Sequence, residues 1–330
     1  MSSSDYADKI YRLTTRLESL SKGVGAELNK ILVARFKLLA AEVATGSTAT
    51  KRDVAAINRL FDEIIQNTSA EQTVLINSSM TGAAAAGYGA EMAGLSMIDV
   101  AADYKKFEAK RITNKAWSFI LQEHTISVEA AWDKYLKTSS ARLKTIPKIA
   151  YQNGWSISTT VGRLRQATQI DKRSATTMAR TILLSSSNVA RDDVISQTSV
   201  KREIYKATLD SRTTQICQYN DGKVFDIGHG PHPPLHFNCR SVRLAIPSDM
   251  TAAEFKKGLQ SSSRGPDGKT NIIDYKTYGE WLGTQKLSFQ EEILGKRRAK
   301  LFNDGKVSYS KMFTRNGSYV TVADLEKRYT

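Results

Sequence analysis

The sequence predicts an α+β fold: an extended, mostly α-helical N-terminal region, then a small α+β module with a Cys/His-pinned β-hairpin loop. Three observations carry this. Apolar residues recur at helical spacing through the first two hundred positions. Near Lys201 the texture changes, and Glu203 to Leu209 alternates as a short strand does. Both cysteines and three of the four histidines then fall within positions 217–239. The expected division is 1–200 for the helical region, 201–260 for the α+β core motif, and 261–330 for a mostly helical extension packing on it.

Taken in order, Asp5 to Leu20 places Ile10, Leu13, Leu17 and Leu20 on one face. Gly23 and Gly25 predict an interruption before a second helix over Glu27 to Val43. Gly46 to Thr50 reads as a turn. Lys51 to Gln66 is the clearest amphipathic helix, with Val54, Ile57, Leu60, Phe61, Ile64 and Ile65 in one stripe. Asn67–Thr68–Ser69 offers caps for a further helix. The segment from Gly82 to Ala90 is built from small side chains suited to close helix packing, and it lacks the Gly-Lys-Ser/Thr ending of a phosphate loop. The apolar stretch around it contains Glu91.

Ser127 to Lys144 predicts a helix turning Val128, Ala131, Trp132, Tyr135 and Leu136 inward, with Pro147 interrupting the next segment. Asn153–Gly154 reads as a turn. Ser156 to Gln166 and Ser174 to Ser196 read as two more helices. Asp221–Gly222 is a hairpin signal, with Cys217 arriving on a strand and Val224–Phe225 leaving on another. Gly228 to Pro234 is a structured loop, and Ser241 to Ile246 a strand. Ser261 to Gly268 reads as a mobile linker. Tyr278 to Leu282, Phe289 to Phe302 and Val322 to Tyr329 close the chain as short helices.

Composition is that of a globular protein, with 41% hydrophobic and 25% charged residues. No apolar run reaches the roughly 18 residues of a membrane span, so no membrane insertion by the chain itself is expected. The N-terminal residues lack a basic region followed by an apolar one, so the expectation is a protein made without a secretory signal and first present in the cytoplasm. Net charge is +15, from 48 Lys+Arg against 33 Asp+Glu. Residues 137–206 hold 13 Lys+Arg and only 4 Asp+Glu. Such an excess attracts phosphate backbones or acidic surfaces. The candidate contacts are Arg163, Arg165, Lys172 and Arg173. Few aromatics interleave them, so any contact with double-stranded DNA is expected at phosphates and independent of sequence.

The Cys/His cluster admits three readings. In the first, Cys217, His236 and Cys239, with His232 as the expected fourth ligand and His229, an acidic side chain or water as alternatives, hold a structural zinc ion that pins a loop lacking its own core. In the second, Cys217 and Cys239 form a disulfide. In the third, one of the cysteines is a nucleophile with His236 as base, oriented by Asn238 or Asp210. A metal-free, hydrogen-bonded loop remains beside them. The neighbours favour architecture. The segment Asp210–Ser–Arg212–Thr213–Thr214 can cap its own backbone, with Asp210 accepting amide protons at a turn, and Arg212 and Arg240 can pair with Asp210 or Asp221.

Leu209–Asp–Ser–Arg–Thr–Thr–Gln–Ile–Cys217, Asp221–Gly–Lys–Val–Phe225 and Pro233–Pro–Leu–His–Phe–Asn–Cys–Arg–Ser241 resemble, in order, the signature of the tailed-phage minor head proteins, the phage Mu F-like head-morphogenesis family. Tyr278–Gly–Glu–Trp–Leu282, Gln290 to Gly295 and Leu301 to Lys306 resemble the segment that often comes after it. The resemblance spans about residues 205–330. It carries over onto Arg212, Thr213, Cys217, Gly222, Pro234, His236, Asn238, Cys239 and Arg240.

The resemblance implies a minor capsid protein of a tailed bacteriophage rather than an enzyme. Such a protein is bound at the portal or the inner head surface and assists head assembly, DNA packaging or genome delivery. The implied partners are the portal protein and the major capsid protein, touched through the helical region. The implied location is the virion, after the host cytoplasm during assembly. The alternative is a zinc- or cysteine-dependent hydrolase carried in the virion. Against it, no His-Glu-x-x-His, deaminase or serine-elbow motif is present.

Overall fold

A computed structural model of the chain describes residues 3–44, 51–98, 100, 102–153, 155, 157–265 and 269–329. Within its helices, the side chains of residues 35–44, 51–58, 60, 61, 147, 148, 151, 157, 158, 161, 165 and 168–170 stand outside that description. The elements begin with α1 (Ser3–Ala44), α2 (Lys51–Ser96), α3 (Ala109–Ser118), β1 (Ile120–Leu121), β2 (Ile126–Ser127), α4 (Val128–Gln152) and α5 (Ile157–Ile195). Next come β3 (Arg202–Lys206), α6 (Gln215–Asn220), β4 (Val224–Asp226), β5 (Val242–Ile246), α7 (Ala252–Lys257), β6 (Gln260–Arg264) and β7 (Thr270–Asp274). Last are α8 (Tyr278–Gly283), α9 (Leu287–Leu294), α10 (Lys296–Asn303) and α11 (Val322–Tyr329). The α+β class is the one expected.

The chain forms two compact units, both discontinuous in sequence. One comprises residues 16–85 and 108–189; the other comprises 1–15, 86–107 and 190–330.

The first unit is helical apart from the two-residue pair β1–β2. Leu32, Leu143, Leu164 and Ala167 form a core, with Ile64, Ile65 and Ile146 packed on it. Here the helices are longer than the sequence suggests. α1 runs through Gly23 and Gly25 without a break. A mid-helix glycine costs about 1 kcal/mol, yet a Cβ at Gly25 would lie 2.5 Å from the Thr176 Cα of α5. The absent side chain is what lets these two helices touch. α2 runs through Asn67–Thr68–Ser69, where the Thr68 hydroxyl donates to the Ile64 carbonyl one turn back instead of capping a new helix. The sequence Gly82–Ala90 is part of the same helix. Ala83 and Ala84 are buried, while Gly82 and Gly89 face open space.

α4 passes through Pro147, carried by Leu143 and Ala150, which are buried on either side. α5 joins two segments that the sequence presents as separate helices. Its polar middle is held by Asp171, which is buried and accepts hydrogen bonds from the Tyr135 hydroxyl at 3.1 Å and from Ser139, both on α4. The turn expected at Gly46–Thr50 and the glycine of Asn153–Gly154 lie outside the described residues.

In the second unit, β3 is the centre of a three-stranded antiparallel sheet ordered β4–β3–β5. Ile204 pairs with Val224 on one side and Leu244 on the other. Cys217 is carried by the short helix α6, so the expected strand–Asp221–Gly222–strand hairpin is a helix–turn–strand instead. Residues 261–264, expected in a mobile linker, lie in β6, which pairs with β7. Pro266–Gly268 lie outside the described residues. α8 to α11 bury Tyr278, Trp281, Leu282, Leu294, Leu301 and Leu325 in a second core cluster that includes Leu209. Gly295, at φ +77°, separates α9 from α10 where one helix is expected.

The N-terminal residues enter this unit through a buried polar network. The Tyr6 hydroxyl donates to Glu91, the single acid in the apolar stretch of α2, and accepts the Ala245 amide of β5 at 3.0 Å. Arg191 of α5 binds the same carboxylate at 2.6 Å and the Arg243 carbonyl at 2.5 Å. Gly94 is needed here, since a Cβ would lie 2.5 Å from the Tyr6 ring.

Candidate functional site

After β3 the chain passes through Ala207–Leu209 into a turn at Asp210. The Asp210 carboxylate accepts the Arg212 amide at 3.0 Å and the Thr213 hydroxyl at 3.1 Å. It also receives a bidentate fork from Arg240, with Nη2 at 2.7 Å from Oδ1. Both side chains of this pair are over nine-tenths buried. Arg212 reaches the carboxylate at 3.6 Å but is itself exposed. Burial pushes Asp210 up, yet the Arg240 fork outweighs it and holds the carboxyl below the ordinary range. The Asp210 carbonyl accepts the Tyr278 hydroxyl at 2.8 Å, tying the turn to α8.

Thr214 stands at the N-cap position of α6 without a side-chain cap bond, and Cys217 points from that helix into a cluster with Tyr205, Ala207, Leu235 and Cys239. The Asp221–Gly222 turn at the end of α6 is fixed by a fully buried acid. Asp221 accepts the Ala207 and Tyr278 amides at 2.7 Å each and pairs with Lys206 at 3.2 Å. Burial pushes Asp221 up and Lys206 down. Gly222 takes φ +77°, and a Cβ there would meet Thr277 at 2.7 Å. The choice of partners is thereby resolved: Arg240 and Arg212 go to Asp210, and Asp221 takes Lys206.

The loop after β4 passes through Pro233–Pro234, joined by a cis peptide, to the turn His236–Cys239. Here the Cys239 amide donates to the His236 carbonyl at 3.2 Å and Asn238 takes φ +60°. Asparagine tolerates this left-handed conformation better than most side chains. The turn points His236 and Cys239 at Cys217. Cys217 Sγ lies 3.2 Å from His236 Nε2 and 3.7 Å from Cys239 Sγ, with no S–S bond between them. The Tyr205 hydroxyl donates to Cys217 Sγ at 3.2 Å.

His236 Nδ1 lies 2.8 Å from the Phe237 carbonyl. A carbonyl only accepts, so Nδ1 carries a proton, and Nε2 faces the sulfurs and Thr214 Oγ1, the latter at 2.9 Å. Burial pushes the Cys217 thiol up. At Cys239 the same burial is outweighed by hydrogen bonds from Cys217 and His236, and that thiol is held below its ordinary value.

Three of the four residues offered as zinc ligands therefore converge, their donor atoms within 4.8 Å of one another. His232 does not join them. Its Nε2 lies 2.7 Å from Arg243 Nη1 and its Nδ1 3.4 Å from Asp192. Arg243 is the reason: it is buried, pairs with Glu203 at 3.0 Å and donates to the His229 carbonyl at 2.8 Å, so it gathers both histidines away from the thiols. For the nucleophile reading, the group that orients His236 is the Phe237 carbonyl, while Asp210 is turned to Arg240. A narrow cleft lined by Arg212, Thr213, Thr214, Asn238 and Arg240 opens beside Cys217 and His236.

Arg163, Lys172 and Arg173 are exposed on α5, and the Arg165 side chain lies outside the described residues. Sequence reasoning missed the Arg191–Glu91–Tyr6 and Arg243–Glu203–His232 networks. The one legible signal was Glu91, an acid standing alone among small apolar residues. No described helix is long and apolar enough to cross a membrane.

No curated protein and no solved structure matches the chain. A family model does, over residues 141–244, about a third of the chain, and its description is phage Mu protein F like protein. That range holds α6, the Asp210–Arg240 brace, the Asp221 turn and the Cys/His cluster, so the segment that builds this site is similar to phage Mu protein F like protein.

Proposed function

We propose that the protein is a minor structural component of a tailed-phage head, carried in the virion. The observation that carries this reading is the family match, which covers the whole braced loop from Asp210 to Arg240. The site's chemistry agrees with it. The polar groups around the loop are spent on one another, as Asp210 on Arg240 and Asp221 on Lys206, which suits a part that must hold its shape in an assembly. The helical unit is the surface offered to portal or major capsid protein. Exposed Arg163, Lys172 and Arg173 of α5 are the contacts offered to packaged DNA, through phosphates and without regard to sequence. On this reading the protein assists head assembly, DNA packaging or genome delivery.

Purified particles test the first part. The polypeptide should co-sediment with heads at low copy number, and its deletion should lower the yield of filled heads. Particles that lack it and are filled and infectious at the normal rate would contradict the proposal.

A further inference from the structure

We infer that Cys217, His236 and Cys239 form a three-ligand zinc site, with solvent as the fourth ligand on the side of Thr214. This goes beyond the family reading and stands or falls separately from it. Two Zn–S bonds of about 2.3 Å at the tetrahedral angle set their sulfurs about 3.8 Å apart. The Cys217 and Cys239 sulfurs stand 3.7 Å apart. A disulfide needs about 2.05 Å, so the spacing fits two thiolates sharing a metal and not a bonded pair. One Zn–S and one Zn–N bond, about 2.3 and 2.0 Å, give about 3.5 Å by the same construction. Cys217 Sγ and His236 Nε2 are 3.2 Å apart.

The histidine is set for the role independently of the distances. Its Nδ1 proton is held by the Phe237 carbonyl, the outer contact that fixes a ligating imidazole and presents Nε2 to the metal. All three side chains are buried, on a helix and a tight turn whose backbones are already braced. Two thiolates with one imidazole in a tetrahedral arrangement select zinc over calcium, magnesium or manganese. Thr214 Oγ1, 2.9 Å from Nε2, is placed to hydrogen-bond the solvent ligand. Binding replaces the two thiol protons by the metal and releases both. The ion then joins α6 to the 236–239 turn across a loop with little core of its own.

The test uses the full chain, purified under reducing conditions and loaded with zinc or cobalt(II). About one metal per chain is expected. The cobalt form should show thiolate-to-cobalt charge-transfer absorption in the near ultraviolet and intense tetrahedral bands in the visible. His232→Gln should keep both, while Cys239→Ser and His236→Ala should lose them. The cobalt spectrum of the unsubstituted chain decides the matter even where those variants fail to fold. An octahedral cobalt spectrum, a metal-free folded chain with both thiols open to titration, an intact mass lacking two hydrogens, or loss of binding in His232→Gln would each overturn the site.

Discussion

Asp210→Asn is the sharpest perturbation available. It keeps the side chain's shape and leaves an oxygen able to accept from the Arg212 amide and the Thr213 hydroxyl. It removes the negative charge from a fork in which Arg240 and Asp210 are 8% and 7% exposed. Removing one member of a buried pair costs about 3–5 kcal/mol, because the other charge stays in the interior. At about 2–4 °C per kcal/mol for a unit of this size, the melting temperature should fall by roughly 10 °C.

Thermal unfolding of the full chain, followed by circular dichroism, measures it. Arg240→Met and the double variant complete a cycle, and the double variant should lose far less than the sum of the singles. The pH dependence has a definite sign. Asp210 is held below its ordinary pKa in the folded state, so its contribution is complete above about 3.9, the unfolded value, and is lost as pH falls below that. Asp210→Asn should therefore flatten the acid limb. A melting point within about 2 °C of the unsubstituted chain, or strictly additive losses, would refute the claim that this brace holds the loop.

Three further outcomes are expected. Gly25→Ala should cost about 1–3 kcal/mol, since its Cβ would meet the Thr176 backbone at 2.5 Å, whereas Gly23→Ala, with open space around it, should gain about 0.5–1 kcal/mol; chemical denaturation reads both. Burial pushes Glu203 up to about 7, Arg243 opposing it, so the folded chain binds an extra proton; stability should fall as pH rises from about 4.5 toward 7, and Glu203→Gln should abolish that slope in melts across the range. If α5 contacts DNA phosphates, alanine at Lys172 and Arg173 should each reduce the slope of log K against log salt by about 0.9, and an unchanged slope counts against that surface.

The strands at Arg202–Lys206 and Val242–Ile246 were legible because β-favouring residues and flanking turns are local signals, whereas charge complementarity narrowed the partner of Arg240 only to Asp210 or Asp221, and geometry selects Asp210. The helix joints were not. Gly23, Gly25, Thr68 and Pro147 are all breakers by propensity, yet α1, α2 and α4 run through them, and at Gly25 the reason is a close approach to Thr176, distant in sequence. Asp171, partnered by Tyr135 and Ser139 from another helix, does the same for the polar middle of α5. The cluster's membership failed for a related reason. Spacing alone puts His232 beside His236, but Arg243 stands elsewhere in the sequence and takes that ring for itself. Asp221–Gly222 suggests a hairpin and hence a strand at Cys217, while Thr214 just before Gln215 is the helix start that speaks against it.

Tyr6 meets the Ala245 amide across 239 positions. During synthesis at about 5–20 residues per second, the phenol waits roughly ten to fifty seconds for that partner. Glu91 and Arg191 are made in the interval and can assemble around it, but the sheet edge that completes the network arrives afterwards. Closure of this unit is therefore a late event in the life of each nascent chain, and polypeptides halted before position 245 should be cut readily by proteases where finished ones resist.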